Sequence, residues 1–153
     1  MKFVWFIALM LSGSVWAIDT SHNRVQSTEG DFAEVREFLE MAITDRGMVI
    51  NNVAHIGDML ARTAADVGGK PIYRHAEALE FCSALISRAM MEADPHNITY
   101  CPYVIAVYEL VEQPGTIYVG YRRPALADDA SAATRAAMEQ VEQLLADIVA
   151  ATL

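Results

Sequence analysis

The alternation of apolar and polar residues along the chain predicts helices set between strands. The clearest helical pattern lies between Val35 and Ile43, where apolar side chains recur three and four residues apart and line one face. Asp31 followed by Glu34 is typical of a capping box at the start of a helix, and Gly47 suits the position just past its end. We therefore predict an amphipathic helix that packs through this face.

Segments rich in β-branched and aromatic residues predict the strands, and Ser, Asp, Gly and Pro mark where helices begin and end. The predicted strands cover residues 24–28, 48–56, 77–82, 103–110 and 117–121. The predicted helices begin at Asp31, Asp58, Ser83 and Ser131, and the last of them runs to Thr152. The order β-α-β-α-β-α-β-β-α favours one α+β domain over residues 24–153, with helices packed on a mixed sheet. If the helices cover one face only, a homodimer would cover the other.

The first 17 residues are typical of a cleaved secretory signal peptide. Lys2 precedes an apolar run over residues 3–11, and Val15 and Ala17 occupy the positions that a signal peptidase reads. The run is shorter than the roughly 20 apolar residues of a spanning helix, so we expect no stable membrane insertion of the mature protein. The expected location is periplasmic or secreted.

Charge and motifs narrow the expected function. With 20 acidic residues against 11 Lys and Arg, the net charge is −9, which disfavours nucleic acid as a partner because phosphates would be repelled. The chain has no C-x-x-C redox pair, no C-x-x-C-H haem motif, no phosphate-binding glycine loop and no G-x-S-x-G elbow. Most easily recognised enzyme classes therefore lose support.

The two cysteines, Cys82 and Cys101, are the main candidates for chemistry. In an oxidising compartment such a pair is typical of a structural disulfide, while two separate buried thiols and a functional thiol or metal ligand are the alternatives. Cys82 ends a predicted strand just before a helix N-terminus, a position that lowers the pKa of a thiol. If its strand runs parallel to the preceding one, His55 emerges at the same sheet edge.

The position of Cys101 relative to Cys82 depends on strand direction. Cys101 precedes its own strand. In a parallel pair the two thiols would be separated by a strand length of about 17 Å, far beyond the reach of a disulfide. In an antiparallel pair they can meet.

Several segments resemble the domain-of-unknown-function 302 family. They are Asp31-Phe32, Val53-Ala54-His55, Glu80-Phe81-Cys82-Ser83, Asp94-Pro95, Cys101-Pro102-Tyr103 and residues 105–109. The chain departs from the family pattern where Ala54 replaces an acid, where Ser83-Ala84 replaces Asn-Pro, and where Cys101 precedes Pro102 rather than following it. The resemblance implies a small dimeric α+β domain and no known reaction.

These observations lead to three hypotheses about function. The first is a non-enzymatic exported binding or redox accessory protein, with Cys82, His55, Cys101 and Ser83 as candidate ligand-binding residues. Cys82, His55 and Cys101 would hold a transition metal, haem iron or a sulfur species, because thiolate and imidazole are ligands for such groups. The alternatives are a structural or interaction module with a Cys82–Cys101 disulfide or buried thiols, and a thiol enzyme with Cys82 as nucleophile and His55 as base.

Overall fold

The fold comes from a computed structural model that describes residues 17–153. The strands in this range are β1 (Ala17–Asp19), β2 (Asn23–Glu29), β3 (Val49–Ala54), β4 (Tyr73–Cys82), β5 (Tyr103–Leu110) and β6 (Thr116–Arg122). The helices are α1 (Phe32–Thr44), α2 (Ile56–Val67), α3 (Ala84–Ala93) and α4 (Ala132–Thr152), with a 3₁₀ helix at Pro95–Tyr100. The predicted α+β class and the predicted element order are confirmed, with β1 and the 3₁₀ helix as additions.

Short-range signals place several helix ends where the sequence predicts them. The Asp31 carboxylate accepts hydrogen bonds from the first turn of α1, and Ser131 accepts one from the backbone N–H of Thr134 in α4. Past the end of α1, Gly47 adopts a positive φ of 74°, a conformation that glycine reaches without a steric penalty. α2 begins earlier than predicted, at Ile56, with His55 rather than Asp58 in the capping position.

The N-terminal region differs from the prediction in one respect. Residues 18–23 predict a loose lead-in, but Ala17–Asp19 forms β1, which pairs with residues 24–26 of β2. The predicted signal peptide lies outside the described residues except for Ala17. Within residues 17–153 no helix is long and apolar enough to cross a membrane.

The strand directions correct the mixed sheet that the sequence favours. The six strands form one sheet in the order β1-β2-β6-β5-β4-β3, and every neighbouring pair is antiparallel. β3 and β4 therefore do not run parallel, although α2 lies between them in the chain. In the described fold α2 completes a hairpin connection between neighbouring strands, so the alternation of helix and strand does not set a parallel direction.

The core lies between one face of the sheet and helices α1, α3 and α4. Leu39 and Ile43, on the predicted apolar face of α1, are fully buried there. Phe81 from β4 and Ile105 from β5 are fully buried as well. The amphipathic pattern therefore identifies the buried face of α1, except for Phe38, which is 47% exposed.

The opposite face of the sheet is largely free of helices. Along β5 the buried residues alternate with more exposed ones, and Val104 and Ala106 point away from the core. α2 packs closely against β4 at Ala76, where a Cβ on Gly57 would lie 3.0 Å from the Ala76 backbone nitrogen. The homodimer that would cover this face stays a prediction.

Candidate functional site

The antiparallel pairing of β4 with β5 brings the two cysteines to the same end of the sheet. Phe81 pairs with Tyr103, so Cys82 at the end of β4 lies beside the segment where Cys101 leads into β5. Both cysteines are free thiols, and both side chains are partly exposed. This is the arrangement in which the sequence allows the two thiols to meet.

Two hydroxyl groups, from Ser87 and Tyr103, form a chain of hydrogen bonds that ends at Cys101. The Ser87 Oγ lies 3.4 Å from the Cys101 Sγ and 3.0 Å from the phenolic oxygen of Tyr103. Ser87 is 9% exposed and Tyr103 is 3% exposed, so the hydrogen bond between them is shielded from water, while the contact with Cys101 is only partly buried. We call Cys82, Cys101, Ser87 and Tyr103 the dithiol cluster.

Helix α3 supplies one of these hydroxyl groups. Ser83 caps α3 as predicted, because its Oγ accepts a hydrogen bond from the backbone N–H of Ile86 at 3.3 Å. The Ser83 side chain, predicted as a ligand-binding group, therefore acts as a helix cap in the structure. Ser87, one turn further along, reaches Cys101 instead. The i, i+4 spacing of the two serines is the sequence signal that could have identified Ser87.

The local environment raises the pKa of Cys82. Burial is the largest cause, and the neighbouring Cys101 adds to it through its charge and through a hydrogen bond, while the Tyr103 backbone N–H acts in the opposite direction. The pKa of Cys82 is therefore raised overall, opposite in direction to the lowering that its place before a helix N-terminus predicts.

His55 lies away from the dithiol cluster, at the other end of the β3–β4 pair. Val49 is opposite Cys82, whereas Ala54, next to His55, is opposite Ala78. Five residues of strand, about 17 Å, therefore separate His55 from Cys82. The predicted shared edge is wrong because it required parallel strands.

His55 instead takes part in a network of polar contacts at the surface. Its Nδ1 lies 3.2 Å from a carboxylate oxygen of Glu77, which also accepts a hydrogen bond from Arg36 at 2.7 Å. Here Glu77 provides a carboxylate from the neighbouring strand, a contact that only the strand pairing reveals.

The predicted metal site does not form. The structure brings Cys82 and Cys101 together but leaves His55 at the other end of the strands. Among residues 17–153 no group of three or more His, Cys, Asp or Glu side chains could hold a metal ion. A transition metal or haem iron bound by both thiols and this imidazole does not fit the structure.

Two buried tyrosines at this end of the sheet should make the free energy of unfolding fall at alkaline pH. Burial is the largest cause that raises the pKa of Tyr103 and of Tyr121, each to about 12. Unfolded tyrosines ionise near pH 10, so the stabilising effect is complete below that pH and is lost as the pH rises from about 10 to 12. We expect the free energy of unfolding, measured in urea, to fall across this interval.

The matched test replaces both tyrosines with phenylalanine, which keeps the rings but removes the ionising groups. The double variant Tyr103→Phe/Tyr121→Phe should lose part of the pH slope above pH 10, whatever its stability at pH 7. A slope identical to that of the unchanged protein would contradict the assignment.

Comparisons with known proteins support the fold and identify the family. The profile described as "Domain of unknown function DUF302" matches residues 23–152. A solved structure, the "uncharacterized conserved protein DUF302 from Bacillus stearothermophilus", superimposes with a TM-score of 0.71 and 15% identity, and the match covers 88% of this chain and 100% of that one. A search of curated proteins finds no match. The chain therefore belongs to the DUF302 family, whose function is unknown.

Proposed function

We propose that this domain is an exported redox accessory protein in which Cys82 and Cys101 alternate between a dithiol and a disulfide. The observation that carries the proposal is the meeting of these two thiols, the only cysteines of the chain, at the junction of β4 and β5. The signal-peptide pattern of residues 1–17 supports an oxidising compartment, where disulfides form and persist.

The proposed reaction is thiol–disulfide exchange with a partner that carries a disulfide. One thiolate attacks a sulfur of the partner, which gives a mixed disulfide and releases a partner thiolate. The second cysteine then attacks the mixed disulfide, which forms the Cys82–Cys101 bond and releases the other partner thiolate. In total this protein loses two electrons and two protons, and the partner disulfide gains them as two thiols.

The hydroxyl groups of the cluster have a specific role in this reaction. Ser87 lies close enough to donate a hydrogen bond to the Cys101 sulfur, which stabilises the thiolate that appears when the disulfide opens. Tyr103 fixes the Ser87 hydroxyl through its own hydrogen bond. Both groups therefore act as positioning residues rather than as reacting groups.

The other functional hypotheses receive less support. A thiol enzyme that uses His55 as base is disfavoured because His55 lies about 17 Å from Cys82. A purely structural disulfide would use the same two cysteines, so it differs from the proposal in reduction potential rather than in geometry.

A redox titration tests the proposal. The protein is equilibrated in glutathione buffers at pH 7, its thiols are alkylated, and mass spectrometry counts them. We expect a two-electron transition between an intramolecular disulfide and two thiols, with a midpoint between roughly −300 and −180 mV. Ser87→Ala should shift the midpoint, whereas Ser83→Ala, which removes only the helix cap, should leave it nearly unchanged.

Two results would contradict the proposal. The absence of an intramolecular bridge in any buffer would exclude reversible disulfide formation. A bridge that persists below roughly −300 mV would indicate a structural disulfide. Cys82→Ser and Cys101→Ser should each leave one alkylatable thiol and no bridge, which verifies the pairing.

A further inference from the structure

A cleft of about 840 Å³ lies at the end of the sheet where β5 begins and β6 ends. Val25, Val104 and Ala106 line it from the open face of the sheet. Val141 and Leu145 of α4, which also border it where the sheet ends, are buried core residues on the other face. The lining is predominantly apolar, and the volume is within the range of about 300–1,000 Å³ that is usual for small-molecule sites.

One wall of the cleft is held by a long-range hydrogen bond. The Tyr100 hydroxyl at the end of the 3₁₀ helix donates to the backbone oxygen of Ala125, and both residues line the cleft. This bond joins two connecting segments that are 25 residues apart in the chain. The cleft is therefore bounded by these two hydrogen-bonded segments as well as by the sheet.

Two consecutive arginines contribute to the lining of the cleft. Arg122 and Arg123 both line it. Arg123 is held by Asp19 and by Glu142, with 3.6 Å between its Nε and a Glu142 oxygen. Its Nε is nevertheless buried without a hydrogen-bond partner.

Arg122, in contrast, is exposed and has no ion-pair partner within residues 17–153. In a chain whose net charge is −9, this unpaired guanidinium gives the apolar cleft a local positive charge that could attract an anion. A guanidinium binds carboxylate-like groups through two parallel hydrogen bonds, so it suits the anionic end of a ligand.

We propose that this cleft binds a small amphipathic anion, with an apolar aromatic or branched body and one carboxylate or sulfonate group. The body lies along Val104 and Ala106, and the anionic group pairs with Arg122. The proposal goes beyond the redox function, because neither Cys82 nor Cys101 lines the cleft.

Two fluorescent probes of the same shape test both halves of the proposal. 8-Anilinonaphthalene-1-sulfonate carries an aromatic body and a sulfonate, and N-phenyl-1-naphthylamine has the same rings without the charge. The titrations use the full mature protein with Cys82→Ser and Cys101→Ser, so that the outcome is independent of the redox proposal. We expect the sulfonate to bind with a single site and more tightly than the neutral probe.

Two variants locate the site, and a third is a matched control. Arg122→Gln should weaken binding of the sulfonate about tenfold and leave the neutral probe nearly unchanged. Ala106→Leu should weaken both probes, because Ala106 lies between Ala78 and Gly120 on neighbouring strands and the added side chain fills the cleft. Arg88→Gln removes an exposed arginine of α3 that pairs with Glu92, outside the cleft, and should change neither affinity.

Several outcomes would overturn the proposal. Equal loss of sulfonate binding in Arg122→Gln and Arg88→Gln would indicate nonspecific charge attraction, and binding insensitive to Ala106→Leu would place the probe elsewhere. The cleft would belong to a dimer interface if the dimeric protein bound neither probe and the monomer obtained by dilution bound the sulfonate. A second copy of the chain would then be its occupant. Circular dichroism of each variant verifies that it folds.

Discussion

Replacing Phe81 with alanine is expected to lower the free energy of unfolding by about 3–5 kcal/mol. Phe81 is fully buried, pairs with Tyr103 across β4 and β5, and contacts its ring edge to face at a centroid distance of 6.1 Å. Removing the ring loses its burial and leaves a cavity that the surrounding strands fill only in part. Urea unfolding at pH 7 measures the change.

A leucine on the surface provides the control for this substitution. Leu85 in α3 is 80% exposed, so Leu85→Ala should change the free energy of unfolding by less than about 0.5 kcal/mol. Similar losses in Phe81→Ala and Leu85→Ala would contradict the assignment of Phe81 to the core. Because Phe81 precedes Cys82 and contacts Tyr103, the cavity also lies directly beneath the dithiol cluster.

Replacing Gly120 with alanine is expected to cost about 3 kcal/mol, because β2 and β6 approach each other closely at this point. A Cβ on Gly120 would lie 2.7 Å from the Arg24 backbone oxygen and 2.8 Å from the Val25 Cγ2. The first of these contacts is with backbone, so relief requires the two strands to move apart. Thermal and urea unfolding would both measure the loss.

Gly30 is the matched glycine for this experiment. A Cβ there would lie 3.7 Å from the Val35 Cγ2, which is an ordinary van der Waals contact. Gly30→Ala should therefore change the free energy of unfolding by less than about 1 kcal/mol. If Gly120→Ala were equally mild, the close approach of β2 and β6 would not limit the residue at this position.

Residues close together in sequence account for most of the elements that could be predicted. Asp31, Ser83 and Ser131 cap helices because each side chain accepts a hydrogen bond from a backbone N–H two or three residues later. The strand Tyr103–Leu110 has the predicted bounds, since its β-branched and aromatic residues alternate between a buried and an open face. The sequence alone also singles out the two cysteines as candidates for chemistry.

Only the tertiary structure decided which of the candidate residues meet. The direction of β3 relative to β4 is set by the pairing of two strands that helix α2 separates in the chain. That direction moves His55 to Glu77 and away from Cys82. Strand direction depends on contacts between residues distant in the chain, so the local propensities of β3 and β4 do not predict it.

The sequence by itself therefore determined the α+β class, the element order and the identity of the two thiols. Tertiary structure determined that Cys82 adjoins Cys101, that Ser87 and Tyr103 complete the cluster, and that Arg122 borders an apolar cleft. The physical reason is range: capping and amphipathic patterns act within a few residues, whereas strand pairing and burial join residues that the chain separates.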